Sequence, residues 1–271
     1  MPRAVRAGFE TYWTTFGQGP RAAVMIHCSL ASSALWGGLV KHLSGALSMT
    51  AFDLPGHGRS ADWDDRGEIQ EVSARIAGTF CEGPTDLIGH SFGATVALRL
   101  AVERPGLVRT LTLIEPVFFA VARRDRPDLG RRFETDQAAF MAARAAGDHR
   151  AAARAFTALW GEGTEWQDIP PEQQARLAEQ MPLVAAADGV LFDDTAGLLA
   201  DGVLQGVTQP VLLLEGSRSP RIITHVVSGL AARLPHAARG MIVGAGHMAP
   251  VTHPAQVSTE ILRFYLRGGV A

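Results

Sequence analysis

Thr85-Asp86-Leu87-Ile88-Gly89-His90-Ser91-Phe92-Gly93-Ala94 is the stretch on which the reading of the chain turns. A short apolar run ends in Gly-x-Ser-x-Gly, and a helical-looking segment, Ala94–Val102, follows at once. A strand that turns sharply into a helix strains the turn residue and lifts its side chain clear of the backbone. Small residues are needed two before and two after, because the neighbouring elements leave no room for a Cβ. Such a turn presents Ser91 Oγ as a nucleophile and aims the Phe92 N–H at the place where an oxyanion forms. In a chain with 29 glycines the motif alone recurs easily by chance, and an ordinary strand-to-helix turn is the plainer alternative. The apolar run before it and the helix after it favour the strained turn.

Working outward, Glu10–Phe16 alternates loosely and Ala22–His27 is a solid apolar run, with Gly17-Gln18-Gly19-Pro20 between them reading as a hairpin turn. Ala34–Leu43 reads as a helix with Ser32 or Ser33 as N-cap, Leu47–Phe52 as a strand, and Glu68–Phe80 as a helix. Beyond the central stretch, Val108–Ile114 is a buried-type strand ending at Glu115-Pro116. Strands alternating with helices predict a parallel sheet covered on both faces. The alternation then stops. Arg131–Ala146, His149–Trp160, Pro171–Met181 and Phe192–Ala200 read as helices without a strand among them, too long a stretch for a loop. The rhythm resumes with Pro210–Leu214, Arg221–Leu234, Gly240–Val243 and Pro254–Leu266. The expected organisation is a core of residues 1–116 and 210–271 carrying a helical cap at 117–209.

The 271 residues suffice for a large core, and 47% apolar with 19% charged residues is an ordinary globular balance. A formal net charge of −2 gives no reason to expect nucleic acid or an anionic membrane as partner. No apolar run reaches spanning length and Met1–Glu10 lacks the apolar core of a secretory signal, so a soluble, cytoplasmic protein is expected. Cys28 and Cys81 make no disulfide framework. The nine histidines are scattered rather than paired, and no phosphate- or dinucleotide-binding glycine loop is present. No metal or cofactor is expected; oligomeric state cannot be read.

A serine hydroxyl needs a base within hydrogen-bond reach, itself oriented by a third group. The candidate base is His247 in Gly244-Ala245-Gly246-His247-Met248-Ala249-Pro250, between the last strand and the last helix, although a loop histidine can also serve only as a cap. With these residues in place the chain resembles the α/β-hydrolase fold along nearly all its length. His27-Cys28-Ser29 stands where the family has His-Gly-x. Asp53-Leu54-Pro55-Gly56-His57-Gly58-Arg59-Ser60 matches its Asp-x-Pro-Gly-x-Gly-x-Ser turn, and the helical insertion matches its cap. The resemblance implies a mostly parallel sheet flanked by helices, and a second oxyanion N–H at Ser29 beside that of Phe92.

Two departures stand out. Cys28 replaces the usual glycine, tolerable where the backbone is not left-handed; Cys28 as the nucleophile is the remote alternative. The segment Glu215-Gly216-Ser217-Arg218-Ser219 places a serine where the family usually has its triad aspartate. Three outcomes remain open: Glu115 supplies the acid, Glu215 does, or there is none. Glu115 is favoured. It lies at the end of the strand after the elbow helix, Pro116 biases it to an extended backbone, and some haloalkane dehalogenases resemble it in drawing the acid from this strand end. The order Ser91, Glu115, His247 also obeys the family rule.

Other candidates read as structural. His90 is expected to pack, His27, His57 and Asp53 to brace turns, and His253 to help start the last helix. Among Phe118, Phe119, Phe133, Phe140, Met141, Phe156, Trp160, Trp166 and Phe192, most are expected to be helix-packing core and a minority to line a pocket. The resulting expectation is a cofactor-independent serine hydrolase that cleaves a small, mainly apolar ester or lactone through an acyl-enzyme. A thioesterase or carbon–carbon bond hydrolase is an alternative, the latter disfavoured because Met248-Ala249-Pro250-Val251 lacks the tryptophan that branch carries after its histidine. A small-molecule-binding or receptor protein with little turnover is the alternative that the Ser219 departure keeps open.

Overall fold

The computed structural model describes residues 2–161 and 165–267. In chain order the elements are β1 (Arg3–Arg6), β2 (Phe9–Phe16), β3 (Arg21–Ile26), α1 (Gly37–Leu43), β4 (Leu47–Phe52), α2 (Ile69–Gly78), β5 (Thr85–His90), α3 (Phe92–Glu103) and β6 (Val108–Ile114). Among the described residues there follow the α-helices α4 (Phe119–Asp125), α5 (Pro127–Asp136), α6 (Ala138–Ala145), α7 (His149–Trp160), α8 (Pro171–Glu179), α9 (Met181–Ala185) and α10 (Asp188–Phe192). The chain closes with β7 (Val211–Gly216), α11 (Arg221–Ala231), β8 (Ala237–Ile242), α12 (Ala249–Thr252) and α13 (Pro254–Arg267).

The strands form one sheet in the order β1-β2-β4-β3-β5-β6-β7-β8. The pairings from β4 to β8 are parallel; β1–β2 and β2–β4 are antiparallel. Alternate residues of each strand enter opposite cores, as the pleat requires. Val24, Ile26, Leu111, Leu113, Val211 and Leu213 pack with α2, α3, α4 and α11. Ala23, Met25, Ile114, Leu212 and Leu214 pack with α1 and α13. Both faces are thus covered, which is why the central strands read as unbroken apolar runs. The turns after β3 to β8 all open at the carboxyl edge of the parallel part, and the candidate residues are collected there.

The structure corrects several local expectations. Gly17–Pro20 is no hairpin turn: β2 and β3 each pair with β4, which lies between them. The connection crosses the start of β4 so closely that a Cβ on Gly19 would fall 2.1 Å from the Ala46 carbonyl carbon. Neither Ser32 nor Ser33 caps α1 with its side chain. The Asp53 carboxylate instead accepts the Ser33 N–H at 2.6 Å. The helix expected over Arg131–Ala146 is broken into α5 and α6 at Gln137, and that expected over Phe192–Ala200 is absent. Asp194, at φ 52°, turns its carboxylate onto the N–H groups of Leu198 and Leu199 and holds a turn there. β1, an edge strand, had no signal beyond four residues. Among the described residues no helix is long and apolar enough to cross a membrane.

Candidate active site

Ser91 sits between β5 and α3 with φ 56° and ψ −117°, a strained conformation for a residue with a Cβ. The two glycines are required by contact. A Cβ at Gly89 would lie 2.3 Å from the Gly93 carbonyl oxygen, and one at Gly93 2.1 Å from that of Ile26. The strain thus pushes Ser91 Oγ into the cleft while the backbone of the elbow packs against β3.

His247 Nε2 lies 2.9 Å from Ser91 Oγ, and its Nδ1 lies 3.1 Å from Glu115 Oε2. A carboxylate only accepts, so the network assigns the ring proton to Nδ1 and leaves Nε2 to accept from the serine hydroxyl. Glu115 is fully buried, Ser91 and His247 are 7% and 5% exposed. The second carboxylate oxygen of Glu115 accepts the Gly216 N–H at 2.5 Å and the Ser219 hydroxyl at 2.7 Å. Ser219, the position that carries the family's usual aspartate, therefore braces the carboxylate that reaches His247. Contrary to expectation Glu115 is not extended: its φ is 52°, a left-handed turn that stops β6 after its N–H has bonded the Leu214 carbonyl. Glu215 is turned away, its Oε1 accepting from Arg239 at 2.7 Å.

Around this line the other histidines act as braces. His90 Nε2 donates to the His247 carbonyl at 2.8 Å and so holds the histidine loop against β5. His27 donates from Nδ1 to the Cys28 carbonyl at 2.7 Å and accepts the Leu54 N–H at 2.9 Å. His57 donates from Nδ1 to Pro55. Burial pushes His27 and His90 down to about 3 and His57 down to about 4, so all three stay neutral near pH 7. Asp53 binds the Ser33 and Arg59 N–H groups and its own carbonyl takes the Ser60 hydroxyl, tying the β4 turn to the β3 turn. His253 N–H bonds Ala249 at the end of α12, and its carbonyl receives the Val257 N–H of α13.

Ser29 lies beside Ser91 in the lining of the cleft. Phe92, as the first residue of α3, has no carbonyl four residues back within the helix to bond. The left-handed residue of the β3 turn is Leu30, φ 61°, not Cys28, so the side chain at 28 brings no strain. Burial pushes the Cys28 thiol up to about 12, the opposite of what a thiolate nucleophile needs.

Two cavities meet at Ser91. The outer cleft, about 470 Å³, runs between the β3 turn, α7, α8 and the segment after His247. The inner chamber, about 40 Å³, lies under α6, α7 and α10. Ser29, Ser91, Phe156, Trp160 and His247 line both, so the serine stands at the neck between them. Of the nine residues of this segment expected to be mostly core, more than the expected minority face the site: Phe119, Phe140, Phe156, Trp160 and Phe192 line these spaces, whereas Phe118, Phe133, Met141 and Trp166 do not. Sequence reasoning did not single out Trp160, whose ring centroid is 4.6 Å from that of His247, nor Ser219 and the Gly216 N–H as anchors of the acid. Nothing distinguished Trp160 among the aromatics. Ser219 carries a signal, its place in the motif, but the motif alone does not show that a serine there can hold an acid from another strand.

The profile of the alpha/beta hydrolase family matches residues 23–260. A pimeloyl-[acyl-carrier protein] methyl ester esterase of Nitrosomonas europaea is 30% identical over 248 residues, covering 89% of this chain and 94% of that protein. A protein of the same name from Yersinia pseudotuberculosis is 28% identical over 260 residues, covering 94% and 97%. Among solved structures, a thermophilic esterase from Thermogutta terrifontis superposes with a TM-score of 0.71 at 20% identity, covering 99% of both chains.

Proposed function

The chain belongs to the alpha/beta hydrolase family and is a hydrolase, and from that premise we propose a serine esterase that cleaves a small, mainly apolar carboxylic ester or lactone through an acyl-enzyme. The observation that carries the proposal is the unbroken line from Ser91 Oγ through His247 to Glu115, with both contacts at hydrogen-bond distance. Ser91 Oγ attacks the carbonyl carbon while His247 Nε2 takes its proton. The imidazolium so formed faces the Glu115 carboxylate, and the carbonyl oxygen, now an alkoxide, faces the Ser29 and Phe92 N–H groups. Collapse breaks the C–O bond to the alcohol, which leaves with the proton from Nε2. A water, deprotonated by the same nitrogen, then attacks the acyl-enzyme and releases the acid.

In this proposal residues 117–209 act as a cap on a core of 1–116 and 210–271, and they shape the substrate site. The apolar lining of the outer cleft suits the larger, apolar side of the ester, and the inner chamber suits a compact one. Relatives named as methyl ester esterases support an ester with one compact side. The binding-protein alternative depended on a missing acid; the Glu115–His247 contact supports turnover instead.

A fluorophosphonate probe read by intact mass and peptide mapping tests the proposal without a guessed substrate. Single-site labelling at Ser91, absent in Ser91→Ala, is expected, together with turnover of members of an ester and lactone panel that the same variant loses. Folded protein that stays unlabelled would overturn the reading.

A further inference from the structure

The inner chamber is apolar along Val117, Phe119, Phe140 and Leu191, yet it is not apolar throughout. Gln137 lines it from the break between α5 and α6. The residue is 6% exposed. Its backbone is satisfied, the N–H by Phe133 and the carbonyl by Met141. Its side-chain amide has no hydrogen-bond partner among the described residues, whereas the other buried glutamine of this segment, Gln174, bonds Arg150, Trp166 and Ile169. Asp188 also lines the chamber, its charge met by Arg144 at 2.6 Å through one carboxylate oxygen.

The amide is not sealed inside the fold but is accessible from the chamber, so a group entering the chamber can bond it. The amide offers both a donor and an acceptor, and the neighbouring carboxylate offers acceptors only. The pair of Asp188 with Arg144 leaves no net charge to attract an ion. A neutral hydroxyl, which gives and takes one hydrogen bond, matches that set. The volume admits about three water-sized groups, counted from the space one water needs.

We propose that the inner chamber is a hydroxyl-recognising subsite, in which Gln137 binds a hydroxyl about three atoms from the ester bond on the compact side of the substrate. The inference rests on the esterase reading and deepens it: the preferred ester is amphipathic, apolar in the outer cleft and hydroxylated in the inner one. The hydroxyl can belong to the acid or to the alcohol, and the test separates the two.

Two matched pairs differ by one methyl-to-hydroxyl change: hexyl butanoate against hexyl β-hydroxypropanoate on the acid side, and propyl hexanoate against hydroxyethyl hexanoate on the alcohol side. In one pair the wild-type protein is expected to favour the hydroxylated member by about tenfold in kcat/KM, the scale of one hydrogen bond. Gln137→Leu and Gln137→Met, both of similar size, should abolish that preference. Because the amide has no partner in the fold, both variants should melt at or above the wild-type temperature, which a glutamine with a structural role would not allow. Fluorophosphonate labelling of Ser91 in the same samples keeps the two readings apart. Labelling with equal rates within both pairs, or a preference that survives both substitutions, overturns the subsite alone. No labelling and no turnover overturns the esterase reading and the subsite with it.

Discussion

The loops at the carboxyl edge of the sheet and the helices between β6 and β7 face each other across one cleft and are built by different rules. On the sheet side the groups next to the chemistry are held by short-range, directional bonds, Asp53 by three, Glu115 by three and the His247 carbonyl by His90, while His57 Nε2 and His90 Nδ1 are buried without a partner among the described residues. The backbone is strained at Ser91 and Glu115, and surrounding contacts fix both. On the helical side the cleft wall is a set of aromatic rings, Phe119 against Phe192 and Phe156 against Trp160, with the Gln137 amide bonded to no other described residue. The difference teaches a division of labour. Directional bonds place reacting atoms to within fractions of an ångström, and side-chain packing sets which molecule fits beside them.

The sharpest way to break that comparison is at the acid. Glu115→Gln keeps the shape and removes the charge opposite the imidazolium, and kcat should fall by about 10⁴, the scale known for loss of this group in a triad. Glu215→Gln, one strand away and paired with Arg239, should cost less than about tenfold in kcat. Steady-state kinetics on one ester decides between them. A small effect at Glu115 with a large one at Glu215 would mean that the bonds at the sheet edge do not mark the chemistry.

A second prediction uses pH. His27, His57 and His90 lie at the carboxyl edge of the sheet, His90 as the last residue of β5, and are held neutral by burial, at about 3, 4 and 3 against an ordinary value of 6.5. The sign follows from proton counting. Below pH 6.5 the unfolded chain takes up protons that the folded chain refuses, so stability falls as pH falls from 6.5 toward 4. Between pH 7 and 5 each histidine should contribute a loss on the order of 2 kcal/mol. Urea melts at the two pH values measure the whole difference, and His57→Leu should reduce it by about 2 kcal/mol, the contribution of that one histidine. An unchanged difference in that variant would remove the edge loops as the source of acid sensitivity.

The same division explains what was legible in the sequence. Gly89, Gly93 and Ser91 could be read because steric contact with β3 admits few residue types, and Asp53 through Ser60 because a turn built on backbone bonds needs specific side chains. The parallel sheet followed from strand–helix alternation. The acid was legible as a candidate from its place at a strand end, but its left-handed backbone and the brace from Ser219 depend on β6, β7 and the turn after β7 meeting in space. The supposed hairpin at Gly17–Pro20 failed for a related reason: local turn chemistry does not reveal that β4 comes between its two strands. In the helical segment, apolar periodicity located helices but not which rings face the neck. Trp160 and Phe133 belong to one cluster and touch each other, yet only Trp160 lies on His247.

Trp160 therefore offers the finest division of the comparison, and the smallest expected effect. Its indole lies 4.6 Å from the His247 ring and borders both cavities, but it makes no hydrogen bond to the triad. Trp160→Phe removes part of a wall and leaves every bond to Ser91, His247 and Glu115 in place. The rate of Ser91 labelling by a small fluorophosphonate, which reads the nucleophile and its base, should fall by only about two- to threefold. The relative kcat/KM of short and long esters should move further, by about ten- to two-hundredfold for each methylene-sized change in fit. A labelling rate that fell as far as it does in Glu115→Gln would show the indole to be part of the chemistry. The division between edge loops that react and helices that select would then run through α7 rather than beside it.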